Sequence, residues 1–328
     1  MKQIPKRLFV TLATAAVLAA TLGAAPEPAL AQEYPSRDIH FICAFPAGSG
    51  ADVLVRYFAE KLRPIVNRAV IVENRPGAGG NIATEYVARA KPDGYTIYVH
   101  GASGLAANMH LFKKPPVDAV KAIQVAGTIN VQPFMLTVNS KGPYMSVAEL
   151  TAAMKKKGAA ATYATSAPNG TVMGEIYKAV PGVQAVDVNY RTGGDALNEI
   201  SSGKLDYAML DPVLALAQQR EGRLRILAVS SGKRLEASPE LPTMAELGVP
   251  MDLTGWWAAM VPMATPKPVV DRIHRWFVQM VGSAEGKKFL QGFGGDPLIL
   301  TPEAGQQMLA KTVQEWGEYV RLAKIQPQ

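Results

Sequence analysis

Cysteine is nearly absent: Cys43 is the only one in 328 residues, so no internal disulfide can form. It sits inside an apolar run, IHFICAF, where a thiol behaves as a small core side chain. Histidine is almost as scarce. His40, His100, His110 and His274 are scattered, with no H-E-x-x-H and no metal-ligand spacing. There is no Gly-Lys-Ser/Thr to make a P-loop and no G-x-S-x-G to hold a nucleophilic serine. The acids show no pairing that implies general acid–base work. Basic residues are spread along the chain, with no basic arm and no nucleic-acid motif. These gaps argue against an enzyme, a metal or cofactor protein and a nucleic-acid binder. They leave a binding role.

What is present begins with an N-terminal address. Lys2, Lys6 and Arg7 precede the apolar run LFVTLATAAVLAATLGAA, then PEPALA and an Ala-x-Ala ending at Ala31. That order describes a secretory signal peptide over residues 1–31, cleaved before Gln32. The run is nearly long enough to be a membrane anchor, but it is Ala-rich and ends in a cleavage site. No cysteine lies nearby for lipid attachment, and no later stretch resembles a membrane span. The expected product is exported. Cleavage lowers the formal charge from +7 to +5, a mild bias toward anionic small molecules that an ordinary solvated surface explains better on charge alone.

Along the mature chain, strand and helix signals alternate. IHFICAF, AVIVE and TIYVHG read as strands. Between them, Leu54, Phe58 and Leu62 mark one helix face, and Asn81 stands where it can cap a second helix. Further on, IQVAGTI, PFMLTVN, ATYAT, AVDVNY, LDYAMLD and RILAVSS read as strands, with helices from Ser146, from about Val172 and after the loop RTGG. WWAAMVP follows a proline-marked segment, and three helices close the chain from Pro268. The class is α/β with parallel pairing. Two α/β units fit the length, and the terminal helices are expected to return to the first. The expected lobes are 32–133 with 255–328, and 134–254, with crossings near Pro133 and Trp257 and a ligand cleft between them.

Three strand-to-helix corners carry the chemistry. In AFPAGSGAD, Gly48 and Gly50 let an anion approach free N–H groups, Ser49 adds a hydroxyl, and Asp52 can hold the loop. An ordinary acidic-capped turn fits that stretch equally well. The G-x-G pair also invites a dinucleotide reading, but Val53 stands where the third small residue should be. The other corners are SAPNGT (166–171) and YRTGGD (190–195), the latter with Gly193 and Gly194 opening a helix. Of the pair Trp256 and Trp257, at least one is expected in the core and one can wall the cleft.

With those residues in hand, the chain resembles substrate-binding proteins of the tripartite tricarboxylate transporter group, the Bug or TctC family. The likeness runs through YPSRDI, VENRPGAGGNIATEYVARAKPDGYT (72–96), VNYRTGGDAL, LAVSSGKR, LPTMAELGVP and a W-x-x-x-x-P-x-x-T-P pattern from Trp257 to Pro266. It implies a two-lobe, type II periplasmic-binding-protein fold closing over a small carboxylate, with no cofactor and no metal. The implied ligand residues in the first lobe are Phe45, Ala47, Gly48, Ser49, Gly50, Ala51, Asp52, Ala102 and Ser103. In the second they are Ser166, Asn169, Gly170, Thr171, Tyr190, Gly193, Gly194 and Asp211. Phe45 would pack on the ligand's carbon frame.

The resemblance further implies a periplasmic monomer that hands its ligand to membrane transporter subunits. A sensor kinase is an alternative partner, and an exported enzyme using the same cleft is the alternative class. The chain departs from the pattern at Ala51, where a Thr is usual. It departs again in SAPNGTVMGE, which lacks a histidine and is about two residues shorter, and at Asn189, where a proline is usual. The implied ligand is an aliphatic dicarboxylate or tricarboxylate or an aromatic carboxylate, and a shorter loop would leave room for a bulkier acid, an aromatic one or a longer dicarboxylate.

Overall fold

The computed structural model describes residues 34–327 apart from residue 191; the expected signal peptide lies outside the described residues. The described elements fall into two sheets. The first has the order β2-β1-β3-β10-β4-β11, built from β1 (Ile39–Cys43), β2 (Val70–Asn74), β3 (Thr96–Gly101), β4 (Ile123–Pro133), β10 (Thr254–Pro262) and β11 (Asp296–Pro297). The second has the order β7-β6-β8-β5-β9, from β5 (Met135–Asn139), β6 (Ala161–Thr165), β7 (Ala185–Asn189), β8 (Tyr207–Leu210) and β9 (Leu224–Val229). β1 pairs in parallel with β2 and β3, and β6 with β7 and β8. The parallel expectation fails for β10, which lies antiparallel between β3 and β4, and for β5, antiparallel to β8 and β9. These strands arrive by crossing from the other sheet rather than through a β-α-β unit, and pairing direction is not legible in their composition.

Local signals account for the helices. In α1 (Gly50–Val66), Leu54, Phe58 and Leu62 are buried, and Ser49 caps the helix by accepting from the Asp52 N–H at 3.2 Å. Burying each such side chain contributes about 1.5–3 kcal/mol. The helix stops at Asn67, whose φ of 49° lies in the left-handed region. α2 (Asn81–Ala88) differs from expectation: Asn81 is inside the helix rather than its cap, and its side-chain Oδ1 accepts from Asn108 Nδ2 at 2.9 Å. α3 (Ala102–Leu111) follows β3 without a break, and a single turn, α4 (Ala119–Ala122), leads into β4. In the second sheet's layers lie α5 (Val147–Lys157), capped by Ser146, then α6 (Pro168–Ala179), α7 (Gly193–Ser201) and α8 (Pro212–Arg220). α6 begins four residues before the expected Val172. Pro168 takes its first turn, where a missing N–H costs nothing, so Asn169, Gly170 and Thr171 are helical rather than loop. The chain ends in three helices, α9 (Lys267–Gly282), α10 (Ala284–Gly292) and α11 (Pro302–Leu322).

Only Phe134 separates β4 from β5, and the return path runs from Val229 to Thr254. Ser230, fully buried, ties the two passages together. Its hydroxyl accepts from the Phe134 N–H and donates to the Leu253 carbonyl, both at 2.9 Å. Its backbone accepts from Leu253 N–H at 2.8 Å and donates to the Phe134 carbonyl at 2.9 Å.

Candidate functional site

Five helices start at the C-terminal end of a strand: α1 after β1, α3 after β3, α6 after β6, α7 after β7 and α8 after β8. Ligands of open α/β sheets settle in the crevice outside those strand ends. The first N–H groups of each helix have no acceptor in their own helix. Close approaches link the corners. A side chain on Gly50 would meet Val213 of α8 at 3.4 Å, and one on Gly193 would meet Ser166 Oγ at 3.4 Å and Leu214 at 2.7 Å. One on Gly255 of β10 would lie 3.8 Å from the Asn169 amide nitrogen, and one on Gly170 would lie 2.8 Å from the Met209 carbonyl.

The first corner is shaped by Asp52, which is buried. Its carboxylate accepts from Gly48 N–H at 2.8 Å, Arg56 Nε at 2.8 Å and Asn74 Nδ2 at 2.7 Å. Asn74 also donates to the Phe45 carbonyl at 3.0 Å and accepts from Arg56 at 2.9 Å. Burial alone would raise the Asp52 carboxyl, but the Arg56, Asn74 and Gly48 hydrogen bonds outweigh it and hold the carboxyl below its usual 3.8. Gly48 has φ +80°, a conformation that side chains rarely adopt. Ser49 is occupied as a cap, its hydroxyl donating to the Pro46 carbonyl at 2.8 Å. Asp52 and Ser49 thus hold the loop. The N–H groups of Gly50 and Ala51 have no acceptor among the described residues. Ala47, Gly48 and Gly50 are exposed.

Phe45 is half-buried, with its ring 5.8 Å from Trp257 and 5.3 Å from His100. Trp256 and Trp257 are both buried. Trp256 is core, its Nε1 donating to Thr312 at 3.1 Å, while Trp257 lies beside Phe45. His100 is the residue the sequence reading passed over. It is buried and stacked on Tyr98 at 4.8 Å, and burial drives it down to about 3, so it is a neutral imidazole behind the Phe45 wall. Period-two alternation with Tyr98 was the available signal. Ala102 and Ser103 open α3 and are buried; the Ser103 hydroxyl accepts from Trp256 N–H at 3.1 Å.

In the second lobe, Ser166 is half-buried and Asn169 is buried, and neither side chain has a protein partner among the described residues. The Thr171 hydroxyl donates to Thr165 Oγ1 at 3.2 Å, and the Tyr190 hydroxyl donates to Glu199 at 2.9 Å. Gly193 is buried and Gly194 exposed, at a helix start where the Asp195 carboxylate accepts from Thr192 N–H at 3.0 Å. Asp211 caps α8, accepting from Leu214 N–H at 3.0 Å; burial pushes its carboxyl up, against the pull of that hydrogen bond. Cys43 is buried and its thiol is pushed up to about 11 by burial, which suits a core residue. His110 packs helix on helix, its Nε2 2.7 Å from the Val313 carbonyl.

A second concavity of about 660 Å³ lies beside α2, near Arg37, Arg75, Arg89 and Tyr95. Its arginines are already paired with Asp93, Glu73 and Glu85. Among the described residues there is no cluster of potential metal ligands, and no helix is long and apolar enough to cross a membrane.

Comparison with known proteins agrees with this architecture. Protein BugT of Bordetella pertussis is 29% identical over 314 residues, covering 94% of this chain and 96% of its own. The structure of R. palustris Rpa4515 with adipate is 27% identical, with a TM-score of 0.83, over 90% of this chain and 100% of that one. The periplasmic binding protein BugD is 28% identical, with a TM-score of 0.79 and coverage of 90% and 100%. A family model described as the tripartite tricarboxylate transporter family receptor matches residues 54–324, and the chain belongs to that family of periplasmic solute-binding proteins.

Proposed function

We propose that this protein captures a small carboxylate between its lobes and delivers it to a tripartite tricarboxylate-type membrane transporter, without transforming it. One observation carries the reading: groups able to donate to an anion stand at the strand-to-helix corners of both lobes with no protein partner among the described residues. They are the N–H groups of Gly50 and Ala51, the Ser166 hydroxyl and the Asn169 amide. Helix N-termini add favourable field for negative charge. Phe45 and Trp257 supply an apolar wall for the carbon frame. The adipate held by the R. palustris protein makes a linear aliphatic dicarboxylate the first ligand to try.

The lobes divide at about 133 and 255, with residues 32–133 and 255–328 forming one and 134–254 the other. Closure turns on Phe134 and the Ser230 knot. The mature protein acts in the periplasm as a monomer.

A thermal-shift screen of the mature protein against aliphatic di- and tricarboxylates, aromatic acids, amino acids and nicotinamide nucleotides tests this. A ligand at a hundred times its Kd stabilises the fold by about 2.7 kcal/mol. Adipate or a near relative should shift Tm, and Asn169→Ala should diminish the shift. A response to nucleotides alone, or to nothing on the panel, overturns the reading. Ligand recovered chemically changed after long incubation overturns the binding-only role.

A further inference from the structure

We propose that Thr165 is a positioning residue that joins the two second-lobe corners into one unit and so sets the selectivity of the pocket. The proposal rests on the carboxylate-binding reading and deepens it. Thr165 is the last residue of β6 and is 1% exposed. Its hydroxyl donates to Asp187 Oδ1 at 2.8 Å. It accepts from the Thr171 hydroxyl at 3.2 Å and from Asn189 Nδ2 at 3.1 Å. A hydroxyl has one proton to give and two lone pairs, and all three are used, each in a consistent direction. The Thr165 carbonyl accepts from Tyr190 N–H at 2.8 Å as well. One residue therefore holds the first turn of α6 on one side and the end of β7 on the other.

Two side chains feed this hub from outside β6. Asn189 of β7 supplies an amide donor and Thr171 of α6 a hydroxyl donor. With the Asp187 carboxylate as acceptor they form a network whose members fix one another. Ser166 and Asn169, the donors left free for a ligand, lie between Thr165 and Thr171 in sequence, so their placement depends on the hub. A corner fixed before binding discriminates between ligand lengths better than one that must be ordered on binding.

The test uses three variants of the mature protein. Thr165→Val keeps the shape and removes the hydroxyl. Thr165→Ser restores the hydroxyl. Asn189→Ala changes an exposed side chain in the other corner and leaves the core alone. The readouts are amide hydrogen exchange and calorimetric affinity for adipate and its one-carbon-shorter and one-carbon-longer homologues.

The expected result has Thr165→Val speeding exchange in both 166–171 and 189–194. Adipate affinity falls at least tenfold, and the preference among the three acids narrows. Thr165→Ser stays within threefold of the parent. Asn189→Ala speeds exchange in 166–171, across the gap between corners. Faster exchange confined to one corner, or an unchanged preference with Thr165→Val, overturns the proposal. If the parent protein binds none of the three acids, the carboxylate reading fails, and the exchange pattern of Asn189→Ala still decides whether the corners are joined.

Discussion

In the first lobe the glycine corner is held by charge, through the Asp52 carboxylate, the Arg56 guanidinium and Asn74 between them. In the second, the corners are held around the Thr165 hydroxyl by the Thr171 hydroxyl, the Asn189 amide and the Asp187 carboxylate, with no guanidinium among them. The first arrangement is local, because Asp52, Arg56 and Gly48 lie within eight residues of one another and only Asn74 reaches in from β2. The second spans β6, α6 and β7. An ion pair with a half-exposed arginine tolerates movement of its partner, whereas a saturated hydroxyl does not. On the proposed reading, the first lobe supplies the more yielding side of the anion cradle, and the second, held fixed, carries the tuning.

The largest effect should come from pressing on the second-lobe packing. A side chain on Gly174, one turn past Thr171, would lie 2.2 Å from Cε2 of buried Tyr163. That ring cannot swing freely, since its hydroxyl donates to Glu175 at 2.7 Å. Gly174→Ala should destabilise the protein by about 3 kcal/mol in urea unfolding. A matched change in the first lobe, Asp52→Ala, should cost less, about 2 kcal/mol, because Arg56 regains water while the Gly48 N–H and the Asn74 amide lose their acceptor. It should also weaken anion binding, which calorimetry will measure. Equal costs from the two variants would remove the contrast between the lobes.

Between the lobes, Ser230→Ala removes a hydroxyl bonded on both sides. The expected loss is about 1.5 kcal/mol. Paired spin labels on α1 and α8 should then report a broader range of lobe separation. An unchanged distance distribution would mean that the backbone bonds of Ser230 suffice as a hinge.

Much of this was legible in the sequence. TIYVHG is a strand over the residues expected, because β-branched and aromatic residues alternate there between turn signals. The corner glycines announced themselves by type. What stayed hidden needs a third dimension. Thr165 reads as an ordinary strand residue until β7 and α6 are placed beside it. Ser230 sits in LAVSSGKR like any turn serine, and only the crossing of two chain passages shows what its hydroxyl does. α6 starts earlier than the sequence suggests because Pro168 fits a first helical turn and carries Asn169 and Gly170, turn formers by type, into the helix.

The smallest effect separates the lobes by sign. Burial raises the Asp187 carboxyl above its usual 3.8, against the Thr165 hydrogen bond and with help from Glu175. The folded protein then holds that proton more tightly than the unfolded chain, so Asp187 contributes stability below 3.8 and loses it as pH rises through the folded value. Asp52, held below 3.8, acts in the opposite sense: its contribution is complete above 3.8 and disappears as pH falls through its folded value. Thr165 hydrogen-bonds to Asp187, and Glu175 and Lys178 of α6 exert the charges that act on it. Asp187→Asn should therefore flatten the stability profile just above pH 3.8 and leave the steep acid limb. Asp52→Asn should flatten the acid limb and leave the slope above it. Urea midpoints taken from pH 3 to pH 7 on both variants will show whether the two limbs separate. Loss of both limbs in one variant would mean that the two carboxylates titrate as one system and that the corners are not independent.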